Sequence, residues 1–249
     1  MELNKRLYNI FIEKARRVDV DIVSIGLGYS AVTTSDAGIG LAYTYFHDKT
    51  SCVLLNRAVD YENKPCSELL DCINSDNTIE RSMALALVNA LNYEQALKLP
   101  EDRKNQILFK KFKIGEGTRV AMVGYFGPLV EVLKQRKATL EILDESRKLG
   151  QEDEFYKKLE NWADVLFLTS TSILNNTSEK ILQYAHAGIK TVMLGPSTPM
   201  VAKAFEHLPV HMLAGTVPLE KENILKAIRH GMGTPILHRF SRKSFLDLT

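Results

Sequence analysis

The stretch that most constrains this chain is Arg119-Val-Ala-Met-Val-Gly-Tyr-Phe-Gly-Pro128. A short apolar run rich in β-branched residues stops at one glycine, turns through a second and enters an amphipathic sequence, Leu129-Val-Glu-Val-Leu-Lys134. A buried parallel strand opens an α/β unit in this way and presents a ligand loop at its end. Gly124 reads as the sharp turn, and Gly127 as a position kept free of a side chain so that a ligand can approach. Pro128 suits the first helical turn, where its missing N–H costs nothing.

From Thr118 onward strand and helix patterns alternate. Strands are expected at 119–124, 138–143, 164–169, 190–194 and 209–213. Helices are expected at 128–136, 152–161, 177–187, 199–207 and 220–230, with an extended tail from Pro235. This alternation implies an α/β fold, a parallel sheet covered on both faces, and right-handed crossovers make it Rossmann-like.

The first part of the chain reads differently. Leu3, Leu7, Ile10, Phe11 and Ala15 recur at three- and four-residue spacing and predict a helix over 3–18. Strands follow at 19–28, 29–34 and 40–46, with Ser35-Asp-Ala-Gly38 as a hairpin turn between the last two. Two helices come next, at 66–74 and 78–91, the second capped by Asn77 or Thr78. Elements segregated in this order suggest a small α+β unit. Leu99-Pro-Glu-Asp102 interrupts the pattern and sets the expected boundary: residues 1–98 as the α+β unit, residues 99–249 as the Rossmann-like one. A linking helix is expected to run to about Lys113.

Composition excludes several partners. With 45% hydrophobic and 25% charged residues, the 249-residue chain resembles an ordinary soluble protein. A formal charge of +2 gives no reason to expect nucleic acid or an anionic membrane. The basic residues at Lys104, Lys110, Lys111 and Lys113 read as a solvated helix face. No run approaches the roughly 18 apolar residues of a membrane span, and the charged amphipathic start is unlike a signal core, so the cytoplasm is the default location. Cys52, Cys66 and Cys72 are odd in number and form no Cys-x-x-Cys pair, so free thiols are expected instead of a disulfide framework or structural zinc site.

In an open parallel sheet, ligands sit outside the carboxyl ends of the strands. The five expected ends carry Gly124, Tyr125, Phe126 and Gly127; Asp144; Thr169-Ser170-Thr171-Ser172; Gly195-Pro-Ser197-Thr198-Pro199; and Ala214-Gly-Thr216. Helix N-termini after these loops favour phosphate or carboxylate, and Asn175 and Asn176 extend the polar run after the third strand. Ser, Thr and Asn also cap helices, and that reading stands beside the ligand one for Thr177 and Ser178. Asp144 lies about twenty positions after Gly124, where a dinucleotide or S-adenosylmethionine enzyme holds a ribose hydroxyl. The loop is Gly-Tyr-Phe-Gly, however, and the bulk of Tyr125 disfavours a dinucleotide pyrophosphate.

Metal and acyl chemistry find less support. His207 and His211 are four apart, but Pro209 breaks the helix that would align them. His47, Asp48 and His186 read as surface or capping residues. His-Glu-x-x-His and Gly-x-Ser-x-Gly patterns are both absent.

Three motifs in one frame carry a family resemblance: Val123-Gly-Tyr-Phe-Gly-Pro-Leu129, Thr169-Ser-Thr-Ser-Ile-Leu-Asn-Asn-Thr177 and Leu194-Gly-Pro-Ser-Thr-Pro-Met200. They are similar to the DUF364 family, described as "putative heavy-metal chelation" proteins, and Tyr29-Ser-Ala-Val32 and Gly38-Ile-Gly40 resemble its companion N-terminal domain. The resemblance implies an enolase-N-terminal-like α+β domain joined to a Rossmann-like domain, with a site between them. The N-terminal unit is expected to roof the loops with strand 29–34 or the turn at Asp36. A small anionic ligand, a heavy metal or a metal-bearing cofactor is the expected occupant. A nucleotide or S-adenosylmethionine enzyme using Asp144, and a scaffold without ligand, are the alternatives. A homo-oligomer is compatible with the chain, which shows no specific interface signal.

Overall fold

The computed structural model describes residues 1–46, 58 and 60–249. His47, Asp48 and Cys52, singled out above, lie outside the described residues. The chain opens with α1 (Glu2–Ala15) and an antiparallel sheet of β1 (Val20–Ile25), β2 (Tyr29–Thr34) and β3 (Ile39–Tyr43). Next come α2 (Cys66–Leu70), a 3₁₀ turn (Asp71–Asn74), α3 (Thr78–Leu91) and α4 (Tyr93–Ala96). The Asn77 carboxamide oxygen accepts the N–H groups of Ile79 and Glu80 and so caps α3.

The second part runs α5 (Gln106–Lys111), β4 (Arg119–Val123), α6 (Gly127–Gln135), β5 (Thr139–Leu143), α7 (Glu152–Asn161), β6 (Val165–Thr169) and α8 (Thr171–Leu174). It continues with α9 (Ser178–Gln183), β7 (Lys190–Leu194), α10 (Ala202–Phe205), β8 (Met212–Pro218), α11 (Lys221–Arg229), α12 (Thr234–Leu237) and β9 (Ser241–Asp247). The sheet order is β5-β4-β6-β7-β8-β9, parallel except for the antiparallel pairing of β9 with β8. Strand order reverses at β4, which lies between β5 and β6.

Two helical expectations shrink. The helix expected at 177–187 begins one turn earlier as α8, breaks at Asn176 with φ at 59°, and resumes as the short α9. That expected at 199–207 is reduced to α10, because Val201 is extended and the chain enters the helix only at Ala202.

The end of the chain departs most from expectation. The fifth strand is not 209–213 but β8, so Ala214, Gly215 and Thr216 are strand residues and no loop follows Leu213. The tail from Pro235 is α12 and β9, which pairs with β8 along its whole length, from Met212–Asp247 to Pro218–Ser241. Once β8 extends, its outer edge needs a hydrogen-bonding partner, and the polar tail supplies one.

The core explains how the parts sit together. All of α3 except Asn89 is buried, as its Met-Ala-Leu-Ala-Leu-Val run requires of a helix apolar all round. One face meets β2 and β3, and the other meets the C-terminal half. There the Arg81 guanidinium donates to the Leu174 carbonyl and the Asn92 amide to the Met200 carbonyl. One apolar cluster joins Leu3, Leu7 and Leu87 to Leu166, Leu168 and Leu213. On the far face of the small sheet, Ala31, Ile39 and Leu41 are covered by Ile224, Leu225 and Ile228 of α11. The opposite face of the large sheet packs Val120, Met122 and Phe167 under Leu129, Leu133 and Phe109 of α6 and α5. None of the described helices is long and apolar enough to cross a membrane.

Candidate functional site

A cavity of about 540 Å³ opens at the carboxyl ends of β4 and β7, within the range of small-molecule sites. Its floor is the face of β8 and β9. Residues 212, 214 and 216 of β8 project to one side, and the cross-strand partners of Ala214 and Thr216 are Phe245 and Lys243. One wall is the loop into α6, with Tyr125, Phe126 and Gly127; Pro128 has no N–H there, and the Leu129 and Val130 N–H groups donate to the Phe126 carbonyl. The Asp102–Leu108 segment and α12 complete the enclosure, and the small sheet contributes Tyr29.

The backbone at the site is held from several directions. Gly124 takes φ at +84°, and an added Cβ there would come 3.0 Å from the Thr169 Cβ, so the turn needs glycine. The Asp102 carboxylate accepts the N–H groups of Gln106, Ile107 and Leu108 at 2.7, 2.9 and 3.1 Å and caps α5. Its own N–H donates to the Lys243 carbonyl, so the outer side of β9 is tied down at that residue. Tyr29 shares a 2.6 Å hydrogen bond with Thr234, which fixes α12 to the small sheet.

Two ionisable side chains in the cavity are perturbed. Burial lowers the His238 imidazole to about 4, helped by the charge of Lys243, so the ring is neutral near pH 7. Its Nε2 lies 3.4 Å from the Thr216 hydroxyl. Burial also pulls the Lys243 ammonium below the usual lysine range, opposed only in part by the Asp102 charge. Among the described residues Lys243 makes no side-chain hydrogen bond or ion pair. At the cavity wall the Arg147 guanidinium stacks over the Tyr125 ring, 4.7 Å from its centroid.

Of the residues expected from sequence, the cavity lining includes Tyr125, Phe126, Gly127 and Gly195. It does not include Gly124, Asp144, Thr169, Ser170, Thr171, Asn175, Asn176, Ser197 or Thr198. Asp144 clamps its own loop: its carboxylate accepts the Tyr125 N–H at 2.8 Å, the Arg147 N–H at 3.0 Å and the Ser146 hydroxyl at 2.6 Å. The Thr169 and Thr171 hydroxyls bond each other, Ser172 donates to the Thr169 carbonyl, and Thr198 donates to the Gly195 carbonyl. Ser170 is buried behind Gly195.

Three of these polar residues bind the two parts of the chain to each other. The Ser197 hydroxyl accepts the Tyr43 N–H at 2.7 Å, Asn175 donates to the Tyr45 hydroxyl, and the Asn176 oxygen accepts from the Asn4 amide. Asp36, expected near the site, pairs instead with Lys14 at 2.8 Å.

Sequence reasoning missed Lys243 and His238, both in the stretch read as a tail. The signal available was weak. Phe245, Leu246 and Leu248 sit among charged residues with no clean alternation.

A small α+β unit laid across a six-stranded, mostly parallel sheet, with a cavity at the strand ends, defines the class. The chain belongs to the DUF364 family, whose model, described as "Putative heavy-metal chelation", matches residues 108–247. A second model of the same description, DUF4213, matches residues 8–92. An uncharacterised protein of Methanocaldococcus jannaschii is 22% identical over 99% of this chain and 97% of its own length. A DUF364 protein of unknown function from Pyrococcus horikoshii superposes with a TM-score of 0.80 at 21% identity, covering 99% of this chain and all of that one. Another from Desulfitobacterium hafniense gives 0.77 at 20%, covering 96% and 97%. At these identities the likeness is one of fold.

The family description raises the question of a metal. Among the described residues no three His, Cys, Asp or Glu side chains stand together as a ligand set. Cys66 and Cys72 are buried in the first part of the chain, and burial pushes the Cys66 thiol up to about 12. At the cavity the His238 ring stands with a lysine cation, and the Asp102 carboxylate already holds three N–H groups. This donor set does not suit a bare soft cation.

Proposed function

We propose that the chain binds a small anionic organic compound, or the anionic periphery of a metal-bearing one, in the cavity at the strand ends of the six-stranded sheet, to which residues 1–98 contribute Tyr29. The observation that carries this reading is Lys243, a half-buried ammonium with no ion-pair partner among the described residues, facing a ligand-sized cavity. A partly buried charge without a partner is costly, and an anion would relieve it. The N-terminal end of α6 adds partial positive charge on the same side. Tyr29, Tyr125, Phe126 and Phe245 supply apolar and aromatic surface for the rest of the ligand. Heavy-metal handling fits this site if the metal arrives inside an anionic organic shell, since the carboxylates and phosphates of such a shell meet Lys243 directly. The Asp144 carboxylate, already holding three donors, favours loop-clamping over a ribose role.

Thermal-shift and calorimetric titration with aromatic carboxylates, organic phosphates, bare metal ions and metal chelates tests this reading. A ligand at 100 times its dissociation constant stabilises by about 2.7 kcal/mol. Lys243→Met should weaken anion binding roughly 10- to 100-fold, the scale of a lost charge-assisted hydrogen bond. Lys243→Arg should retain most of it. Equal affinity of the wild type and Lys243→Met for every anion that binds, or no response to any anion, would sink the proposal.

A further inference from the structure

Several polar side chains of the cavity are already committed to the protein. The Tyr29 and Thr234 hydroxyls share a 2.6 Å bond, the Asp102 carboxylate holds three N–H groups, and the Ser244 hydroxyl accepts from the Arg242 guanidinium. Thr216 and His238 are different. Their approach to each other, hydroxyl to Nε2 at 3.4 Å, is the one side-chain hydrogen bond that either makes among the described residues. It lies at the outer limit of such a bond, and both side chains are half-buried in the cavity lining.

The sheet places this loose pair beside the anion anchor. Thr216 of β8 and Lys243 of β9 are cross-strand partners, so their side chains leave the same face of the sheet next to one another. His238 follows α12, which the Tyr29–Thr234 bond holds in place. An ammonium, a hydroxyl and an imidazole thus stand together on a floor otherwise made of Met212, Ala214 and Phe245.

Resting on the anion-site reading above, we propose that the ligand is a 2-hydroxy acid, whose acid group meets the Lys243 ammonium and whose hydroxyl enters between Thr216 and His238. A hydroxyl gives a proton to one of this pair and takes one from the other, whichever ring nitrogen carries the hydrogen. A carbonyl oxygen only accepts, and a methylene does neither. Burial and the lysine charge keep the ring uncharged near pH 7, so it retains one nitrogen that accepts and one that donates. A hydroxyl on the carbon next to the acid suits two side chains that are cross-strand neighbours. Lys243 stays a charged anchor throughout, and Tyr29, Tyr125, Phe126 and Phe245 surround an apolar or aromatic substituent.

Three acids that differ only at the carbon beside the carboxylate provide the test: mandelate, benzoylformate and phenylacetate. Each, with both mandelate enantiomers taken separately, is titrated calorimetrically into the full chain at pH 7. The expected result is that one mandelate enantiomer binds tightest, roughly 10-fold tighter than phenylacetate, the scale of hydrogen bonds that the analogue leaves unmade. In Thr216→Val the ratio of mandelate to phenylacetate affinity should fall below about threefold. The ratio is taken within one protein, so a general weakening of binding in the variant cancels, and the wild-type order decides even if the variant folds poorly. Benzoylformate or phenylacetate binding the wild type as tightly as mandelate overturns the 2-hydroxy acid, as does an unchanged ratio in Thr216→Val. The anion site survives either result, because the acids still bind. If none of the three binds while an organic phosphate or a metal chelate does, the hydroxy acid falls and the anion site again stands. If no anion binds, both readings fall.

Discussion

At the scale of single residues, His238 and Lys243 share one cavity, and burial disfavours the charged form of each. For His238 this has a consequence for stability. Its folded-state value of about 4 lies below the 6.5 of a free imidazole, so below pH 6.5 the unfolded chain binds more protons than the folded one. The stability contribution is complete above pH 6.5 and is lost as pH falls towards 4. The shift corresponds to at most about 3 kcal/mol, and partial exposure of the ring reduces this to about 2 kcal/mol. Urea unfolding at pH 7 and pH 4.5 should therefore show an acid loss in the wild type that is smaller by about 2 kcal/mol in His238→Gln, what is left coming from groups such as His211, whose imidazole burial also lowers. The same loss in both proteins would mean that His238 is not the group responsible. Neither residue stood out in the sequence, because a lysine and a histidine in a polar tail look like solvent-facing residues. Only the closure of α12 and β9 onto the sheet desolvates them.

At the scale of elements, local pattern was enough where one period dominates. The apolar runs of β4 and β6 and the Asn77 cap of α3 were legible because each is settled within a few neighbouring residues. The packing of α3 on β3 was not, since it depends on a contact between residues far apart in sequence. A Cβ at Gly40 would collide with the backbone of Ala86 and Ala90, so this glycine sets how closely the central helix approaches the small sheet. Gly40→Ala is expected to cost about 3 kcal/mol, the upper end of overpacking effects, measured as a shift in the denaturation midpoint. Gly115→Ala, where an added Cβ meets nothing within 4 Å, is the control and should stay within about 0.5 kcal/mol. A wild-type midpoint for Gly40→Ala would show that the two elements are not in close contact in solution. The hydroxyl-rich segment after β6 illustrates the converse. Ser, Thr and Asn at a strand end suit a ligand or a neighbouring backbone equally well, and here their bonds run largely to the protein itself.

At the scale of the whole molecule, the two parts share apolar surface. The inner face of the small sheet joins a cluster that includes Leu166 and Leu213, and its outer face is covered by α11. Residues 1–98 expressed alone would leave Ala31, Ile39 and Leu41 bare, along with most of one side of α3. That fragment is expected to lack a cooperative thermal transition, and co-expression with residues 99–249 should restore one. A sharp, reversible melt of the fragment alone would contradict this account of the shared core. The division into an α+β part and a Rossmann-like part could be read from periodicity, because the repeat of apolar residues is a local property that each helix or strand carries within itself. The strand-turn-helix of Arg119 to Pro128 and the family resemblance were likewise present in the sequence. Which polar residues face the cavity was decided only in three dimensions. Desolvation and hydrogen-bond satisfaction depend on what arrives from elsewhere: Tyr43 claimed Ser197, Tyr125 claimed Asp144, and the C-terminal strand left the Lys243 ammonium with no ion-pair partner among the described residues.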